Sequence, residues 1–306
     1  MPARIRLPFA ALIVAAPWAW FLVRDAWAPL NAVAVTLPAI SIGAAAVLMV
    51  LAVLTRRWLP VLVAISTLLM AAGAIFGPRL AHEASGPSIA MSIVFANVYE
   101  ANTSPEQAAQ DLLSRGADIV AAAELRDHTR AALDEQSAGY PYVADHRQLT
   151  LRSRWPLEIL PIPEDLPDPW AMLTWVRPPD GDPFRILVLH VPNPSSATTF
   201  ETQAEQVELI VSIVQRLERR GPIVVVGDLN LSDRTTGYRL LDSHLFDAMR
   251  AGDLAHNTYA GGAWRFAMLR IDHLFLAEGW CASNPRVFVV HGSDHRGIGA
   301  AIGPCP

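Results

Sequence analysis

Three short polar segments in the last third of the chain each stand beside an apolar run that is typical of a buried strand. They read Gly-Asp-Leu-Asn at 227–230, Ile-Asp-His at 271–273 and Ser-Asp-His at 293–295. The ends of strands are rigid positions at which several polar groups can surround one point. Carboxylate, amide and imidazole groups suit a hard cation and a phosphate. The side chains concerned are Asp228, Asn230, Asp272, Asp294 and His295.

Three earlier apolar runs also end in residues of this kind. Asn97 ends the run before it, Glu124 follows 118–123, and His190 ends 184–190. Any one of these residues alone is more often structural, because Asp and Asn cap turns and helices, and a single His or Glu is usually packed or solvated. Their succession along the chain favours a single shared site.

Taken in order, these strand ends resemble the endonuclease/exonuclease/phosphatase superfamily, the metal-dependent phosphoesterases with the DNase I-like fold. The most specific matches are Gly-Asp-Leu-Asn at 227–230 and Ser-Asp-His-Arg at 293–296, supported by Ile-Asp-His-Leu-Phe at 271–275 and Leu-His-Val-Pro at 189–192. The similarity runs from about residue 92 to residue 303. It implies an α/β fold, a four-layer sandwich of two mixed β-sheets flanked by helices, with the site at one edge of both sheets.

The resemblance also implies roles for individual residues. Asn97, Glu124 and Asp294 would lie at the metal, Mg²⁺ or Mn²⁺, with Glu124 as the main carboxylate ligand. Asp272 would orient His295, which would act as general base towards the attacking water or stabilise the phosphate.

The remaining matched positions complete a hydrolytic site. His190 would contact the phosphate and protonate the leaving oxygen, while Asp228 and Asn230 would position the water and the phosphoryl oxygens. The reaction implied is metal-assisted in-line hydrolysis of a phosphoester. A structural role is expected for the other histidines, which are His82, His128, His146, His244, His256, His273 and His291.

Two further features are ambiguous in the sequence. Tyr140 and Tyr142 are candidates for a tyrosine in the site, without a clear match. Trp264 and Arg265, in the loop before residue 271, would either contact substrate or serve in packing.

The elements that must hold these residues alternate between strand and helix beyond residue 85. Strands are expected at 88–97, 118–123, 150–155, 171–177, 184–190 and 223–226, and helices at 104–115, 126–137 and 199–220. The proline-rich connection at 156–169 and the close spacing of the last strands disfavour a simple parallel sheet. A two-sheet sandwich with helices outside fits this order better.

The first 79 residues are almost entirely apolar and predict a transmembrane region with three helices, at about 7–23, 30–54 and 58–77. The second and third stretches reach the ~20 residues needed to cross a bilayer, and the first falls just short. A cleaved signal peptide is the alternative for the first stretch. A tether at 80–90 and a catalytic domain at 91–303 would follow.

Arginines flanking these stretches predict the orientation. Arg4 and Arg6 precede the first stretch and Arg56 and Arg57 separate the second from the third, whereas Arg24 stands beside an acid. The positive-inside rule then places the N-terminus in the cytoplasm. Three spans would make the chain an integral membrane protein with an extracytoplasmic catalytic domain.

The region beyond residue 79 is acidic. It carries 18 arginines, no lysine and 28 acids, for a net charge near −10. Such a surface is unfavourable for loose, sequence-independent binding to nucleic acid. Cys281 and Cys305 are the two cysteines, and outside the cytoplasm they would either form a disulfide or remain as two unpaired thiols.

Together these features predict a membrane-anchored hydrolase of phosphoester bonds that depends on Mg²⁺ or Mn²⁺. The expected partners are a phosphoester substrate, either nucleic acid or a phospholipid head group, and the lipid bilayer, without an obligate protein partner. A tethered binding module that has lost the chemistry is the rival, and the presence of every expected site residue counts against it. A transport role for the helices is disfavoured because their interiors contain no charged residue.

Overall fold

In the computed structural model the chain begins with three helices that pack side by side. They are α1 (Ala3–Val23), α2 (Ala28–Thr55) and α3 (Leu59–Phe76), and a 3-10 turn at Gly77–Arg79 follows. The structure describes residues 3–25, 28–80, 86–163, 170–193, 200–252, 257–262 and 268–306. The helices therefore lie over all three apolar stretches of the sequence.

Two of these helices are long and apolar enough to cross a membrane. The qualifying stretches are Leu30–Thr55 and Leu59–Arg79, with mean hydropathies of 2.5 and 2.3, and Ala11–Val23 is a shorter apolar helix. Length and composition alone also fit a signal sequence or a core helix. The division into a membrane region, a tether and a catalytic domain thus stays a prediction.

The first β-sheet has six strands in the order β11-β12-β1-β2-β4-β3. Its parallel pair, β1 and β2, is joined through a helix, and the other neighbours are antiparallel. The strands are β1 (Met91–Asn97), β2 (Ile119–Ala123), β3 (Tyr142–His146), β4 (Leu149–Ser153), β11 (Trp280–Val289) and β12 (Arg296–Pro304).

The second sheet repeats this plan in the order β5-β6-β7-β8-β10-β9, with β7 and β8 as its parallel pair. The other neighbours are antiparallel. The strands are β5 (Leu157–Leu160), β6 (Ala171–Val176), β7 (Phe184–His190), β8 (Ile223–Asp228), β9 (Phe246–Asp247) and β10 (Asp272–Leu276).

Apolar side chains on both faces of the sheets build four layers. A central core joins the two sheets, with Ile93 and Phe95 of the first packed in the same cluster as Ile186 and Val224 of the second. Strands buried on both faces read as continuous apolar runs, which is why β1, β7 and β8 are recognisable in the sequence.

Helices cover the outer face of each sheet. In the outer cores, α4 (Pro105–Leu113) and α5 (Asp127–Gln136) pack on the first sheet, and α6 (Phe200–Glu218) and α7 (Thr236–Asp242) pack on the second. The predicted four-layer α/β sandwich is confirmed. Strands β3 and β5 and helix α7 were not expected from the sequence.

Residues 232–239, here termed the docking segment, connect the catalytic sandwich to the first two helices. Asp25, just after α1, accepts hydrogen bonds from the backbone and hydroxyl of Thr236. The guanidinium of Arg234 donates to the backbone oxygen of Val35 in α2, at 3.2 Å. Both contacts are made by the chain that follows β8.

The third helix is joined to the same segment by a buried ion pair. Arg79 Nε lies 2.7 Å from Asp233 Oδ2, and Arg270 Nε lies 3.2 Å from the same oxygen. Arg270 Nη1 also lies 2.7 Å from Asp247 Oδ2, and this oxygen accepts a hydrogen bond from the hydroxyl of Tyr238. Alternating charges thus compensate one another where water is excluded.

A disulfide joins Cys281, near the start of β11, to Cys305, after β12. The two strands are antiparallel neighbours, and their register places Cys281 opposite Gly303. Of the two expectations for these cysteines, the bridge is the one that the structure contains.

Candidate active site

The two parallel strand pairs carry site residues at their carboxyl ends. In the first sheet, Asn97 ends β1 and Glu124 follows β2. In the second sheet, His190 ends β7 and stands opposite Asp228 at the end of β8. Because the carboxyl ends of parallel neighbours lie at one edge of a sheet, the sandwich brings four polar side chains together.

Asn97 links the two sheets through its side-chain amide. The amide nitrogen donates to Glu124 Oε1 at 2.7 Å and to Asp228 Oδ2 at 3.0 Å. The amide oxygen accepts from the backbone nitrogen of Tyr99 at 2.9 Å. In this arrangement Asn97 positions two carboxylates, so its expected role as a metal ligand stays a prediction that requires the amide to turn.

His190 completes this cluster from the second sheet. Its Nε2 lies 3.2 Å from Glu124 Oε1 and 4.0 Å from Asp228 Oδ2. One imidazole nitrogen therefore faces both carboxylates. The expected contact of His190 with the phosphate stays a prediction.

Asp272 and His295 form a buried pair beside this cluster. His295 Nδ1 lies 2.9 Å from Asp272 Oδ2, while His295 Nε2 lies 3.6 Å from Asp228 Oδ2. Contact with Asp272 makes Nδ1 the protonated nitrogen, because a carboxylate accepts a hydrogen bond. Nε2 is then the nitrogen that faces the remaining polar groups, as expected for an oriented His.

The Gly-Asp-Leu-Asn turn owes its sequence to close packing and to local hydrogen bonds. A Cβ at Gly227 would lie 1.9 Å from the carbonyl oxygen of Leu189 in the neighbouring strand, so only glycine fits. Asp228 Oδ1 accepts from the backbone nitrogen of Asn230 at 2.9 Å. The amide nitrogen of Asn230 donates to the carbonyl oxygen of Val191 at 2.8 Å.

Glu124 and Asn230 both have left-handed backbone conformations, with φ of 59° and 49°. Such conformations are uncommon for residues with a Cβ and concentrate at functional sites, where surrounding contacts hold them. At Glu124 those contacts include the backbone nitrogen of Glu100, which donates to Oε2 at 2.9 Å.

Asp294 lies at the side of the cleft, apart from the tightest clusters. Among the described residues, two groups place ligand atoms within 4.8 Å of one another: Glu124 with His190 and Asp228, and Asp228 with Asp272 and His295. Asp294 belongs to neither group. It lines the same cleft, so its expected metal role stays a prediction.

Tyr259 is one of the cleft residues that the sequence did not reveal, and it contacts His295. Its ring meets the His295 ring edge-on at 5.0 Å, and its backbone forms a bridge with that of His295. Burial, reinforced by Asp294, raises the pKa of its hydroxyl. The sequence places Tyr259 in an irregular loop, and no spacing rule connects that loop to residue 295.

The structure locates two of the four residues whose roles the sequence left ambiguous. Tyr140 is buried beneath the outer helices and donates to the carbonyl oxygen of Ala117, and Tyr142 lies on the edge strand β3. Neither lines the cleft. Trp264 and Arg265 lie outside the described residues, as do two of the remaining histidines, His82 and His256.

Burial and opposite charges shift the ionisation of the cluster. Burial opposes ionisation of Glu124, but hydrogen bonds from His190 and Asn97 outweigh it and lower its pKa to about 2. Burial raises the pKa of Asp228 against the opposing charge of His295. Burial acts against protonation of His295, yet Asp272 and Asp228 raise its pKa.

The donor set fits a divalent cation of the Mg²⁺ type. Such ions prefer carboxylate oxygens and bind through one or two of them together with substrate oxygens. Glu124 and Asp228 supply two carboxylates from different sheets within one small cluster. Among the described residues, the ion-pair partners of the almost fully buried Asp228 are His190 and His295. A bound cation would further compensate the charge of this carboxylate.

The cluster lies at the floor of a cleft of about 1100 Å³. Polar groups from both sheets form the floor, and one further wall comes from α2. The residues lining it include Ala32, Val35, Thr36, Glu124, Arg147, Trp170, His190, Asp228, Asn230, Tyr259, Leu269, Ile271, Asp294 and His295.

Two sheets that bring strand-end carboxylates, amides and imidazoles into one cleft define a class of protein, the phosphoester hydrolases with a DNase I-like sandwich. The sequence profile of the Endonuclease/Exonuclease/phosphatase family matches residues 94–295. The chain therefore belongs to the endonuclease/exonuclease/phosphatase family and is a hydrolase of phosphoester bonds. No curated protein matches the sequence.

Solved structures share the fold. The endonuclease/exonuclease/phosphatase from Beutenbergia cavernae is 20% identical, with a TM-score of 0.57 over 71% of this chain and 72% of that chain. The corresponding Bacteroides vulgatus protein is 16% identical, with a TM-score of 0.58 over 71% and 100%. Humanized D. rerio TDP2 is 19% identical, with a TM-score of 0.54 over 70% and 99%.

Proposed function

We propose that this chain is a membrane-anchored phosphoesterase that requires Mg²⁺ or Mn²⁺ and hydrolyses phosphodiester or phosphomonoester bonds by means of an activated water. One observation carries the proposal: Glu124, His190, Asp228 and His295 come from both sheets and converge in one open cleft. A binding module would not require this convergence of acids and imidazoles.

The chain's own residues divide the chemistry between them. Asp272 holds His295 with Nε2 towards the cleft, so this nitrogen accepts a proton from the attacking water or stabilises the phosphoryl charge. His190, with Nε2 also in the cluster, donates to the leaving oxygen. Asp228 and Asn230 hold the water and the phosphoryl oxygens in line.

The acidic groups Glu124, Asp228 and Asp294 would hold the divalent cation, with Asn97 positioning two of the carboxylates. When bound, the cation would supply positive charge that polarises the phosphoester. Without it, the clustered carboxylates would repel an anionic substrate.

Membrane anchoring is supported by the surface of the three helices. Most of the large apolar side chains that are exposed in the described chain lie between residues 12 and 80. Contiguous apolar surface of this extent is unfavourable in water and is typical of a lipid-facing helix. The helices pack against one another while leaving these faces uncovered, unlike the core helices of a soluble domain.

The contacts of the helix ends support an extracytoplasmic catalytic domain. Asp25 after α1, Val35 in the first part of α2 and Arg79 after α3 all meet the docking segment. Arg56 and Arg57 lie at the other end of the helices, which the positive-inside rule assigns to the cytoplasm. The Cys281–Cys305 disulfide agrees with an oxidising compartment.

The test is hydrolysis of bis(4-nitrophenyl) phosphate, a diester, and of 4-nitrophenyl phosphate, a monoester, by the full-length protein in detergent, with Mg²⁺, with Mn²⁺ and with EDTA. We expect turnover with a cation and its loss in EDTA. His295→Ala and Asp228→Asn should each lower kcat by at least ~100-fold, because each removes a group that acts on the reacting atoms.

His244→Ala is the matched control, since His244 is exposed and does not line the cleft. It should retain wild-type turnover. Absence of cation-dependent hydrolysis in the wild type, or wild-type rates in both site variants, would show that the chain is not an enzyme of this kind.

A further inference from the structure

The active-site cleft has one wall that does not come from the catalytic sandwich. Ala32, Val35 and Thr36, one turn apart along α2, line the same cleft as Asp228 and His295. The hydroxyl of Thr36 donates to the carbonyl oxygen of Ala32 within the helix. This part of α2 therefore presents mainly apolar contact to whatever occupies the cleft.

Apolar residues of the sandwich continue this wall. Leu269 and Ile271, on the chain entering β10, form a buried cluster against which Val35 and Tyr259 pack. Residues 32–36 of α2, together with Leu269 and Ile271, are termed the α2 wall. It is an apolar surface beside a polar floor, within one cleft.

The length of α2 places the wall at the level of a membrane surface. A helix of 28 residues is about 42 Å long at ~1.5 Å per residue. The hydrocarbon core of a bilayer is only ~30 Å thick. About eight residues can therefore project beyond the core, and residues 32–36 of the wall lie within the first nine residues of the helix.

Contacts from the docking segment fix the wall in place. Arg234 donates to the carbonyl oxygen of Val35 at 3.2 Å, and Asp25, just before α2, is bound by Thr236. This segment follows Asp228 and Asn230 in the chain. The docking segment therefore connects the floor of the cleft directly to the α2 wall.

The charge of the cleft disfavours a long polyanion. Among the described residues that line it, Arg147 is the only arginine, whereas Glu100, Glu124, Asp228 and Asp294 are acidic. Nucleic-acid sites follow a backbone of phosphates with several basic groups. A substrate with a single phosphate and an apolar chain does not require several basic groups.

We propose that the α2 wall binds the apolar chain of an amphiphilic phosphoester, a lipid of the membrane in which the helices lie, and that it thereby sets the substrate specificity of this site. The inference rests on the proposed phosphoesterase function and names its substrate class. The phosphate lies at the polar floor, and the chain extends along α2 towards the bilayer.

The experiment uses alkyl 4-nitrophenyl phosphodiesters with methyl, butyl and octyl groups, and full-length protein in detergent with Mg²⁺ or Mn²⁺. Each methylene buried on the wall should raise kcat/KM about fourfold, equivalent to ~0.8 kcal/mol. We expect the octyl ester to exceed the methyl ester by at least tenfold.

Ala32→Trp tests the wall directly, because Ala32 is exposed in the cleft and an indole would occupy the chain's path. The ratio of octyl to methyl kcat/KM should fall at least fivefold. Ala32→Asn, which adds polarity with little bulk, should lower the same ratio. Val53→Trp, at an exposed position near the other end of α2, controls for partitioning into detergent and should leave the ratio unchanged.

Each outcome separates the inference from the proposed function. Hydrolysis of the methyl ester without dependence on chain length, or equal ratios in Ala32→Trp and Val53→Trp, would refute the α2 wall and leave the phosphoesterase intact. Higher kcat/KM on a single-stranded oligonucleotide than on the octyl ester would assign the cleft to nucleic acid. Failure with every ester in the wild type would refute the phosphoesterase itself.

Discussion

His295 lies between two carboxylates that have different tasks. Both carboxylates are buried. Asp272 contacts Nδ1 at 2.9 Å and does not line the cleft, whereas Asp228 lies 3.6 Å from Nε2 at the cleft floor. The first carboxylate sets the tautomer of the ring, and the second shares the space in which a substrate would bind. We therefore propose that Asp272 is a positioning residue that acts through His295.

Asp272→Asn should lower kcat by ~10²–10⁴ with little change in KM. An amide keeps the shape of the side chain but cannot reliably accept from Nδ1, so the wrong tautomer becomes populated. Steady-state kinetics on bis(4-nitrophenyl) phosphate measures the effect, and the exposed Asp182→Asn serves as control. A change confined to KM would contradict the positioning role.

Gly227→Ala should lower the free energy of unfolding by ~1–3 kcal/mol or more, because a methyl group would collide with the Leu189 carbonyl. Thermal unfolding followed by circular dichroism measures the loss. Gly139→Ala is the matched control, since nothing lies within 4 Å of a Cβ there. Equal unfolding midpoints for the two variants would show that β7 and β8 can separate locally.

At the scale of elements, the buried strands could be predicted from the sequence and the edge strands could not. β1, β7 and β8 are largely apolar because both faces are covered. β3 and β5 are short and partly exposed at sheet edges, so their sequences carry no long apolar run. Strand ends marked the site, but Tyr259 comes from a loop whose position depends on backbone pairing with residue 295.

The contacts of the docking segment could not be predicted from the sequence either. Its buried pairing of Asp233 with Arg79, 154 residues away, leaves no local trace in the sequence. The pairing nevertheless has an electrostatic signature. Burial opposes ionisation of Asp233, but Arg270 and Arg79 outweigh it and lower the pKa of the carboxyl.

This lowered pKa predicts a dependence of stability on pH. The folded carboxyl binds a proton less readily than the unfolded one. Its ionised form therefore contributes fully to the free energy of unfolding above about pH 4–5, and this contribution declines as the pH falls through the lowered pKa. Asp233→Asn should lower the free energy of unfolding by ~3 kcal/mol at pH 7, since it leaves Arg79 without its ionic partner.

Thermal unfolding of wild type and Asp233→Asn between pH 7 and pH 3 tests this prediction. The difference between the two proteins should shrink as the pH falls below about 4. Asp182→Asn, at an exposed position, should show no such convergence. A constant difference across the range would mean that the loss comes from packing and not from charge.

At the scale of the whole molecule, the helices and the sandwich meet through the chain that carries the site. β8 ends in Asp228, the docking segment follows, and its residues contact the ends of α1 and α3 and the first part of α2. As the membrane anchor proposed above, the helices would do more than retain the enzyme at a membrane, because they would also set the height and direction of the cleft.

This arrangement predicts opposite sides of the membrane for residue 57 and the C-terminus. Alkaline phosphatase, which folds only outside the cytoplasm, should be active when fused after residue 306 and inactive after residue 57. A fluorescent protein that folds only in the cytoplasm should give the reverse pattern. Replacing Arg56 and Arg57 by serine should reduce the contrast, because the positive-inside rule makes these arginines the residues expected to retain their loop in the cytoplasm. Cytoplasmic signals at both fusion points would contradict an odd number of spans and, with it, a cleft on the outer face.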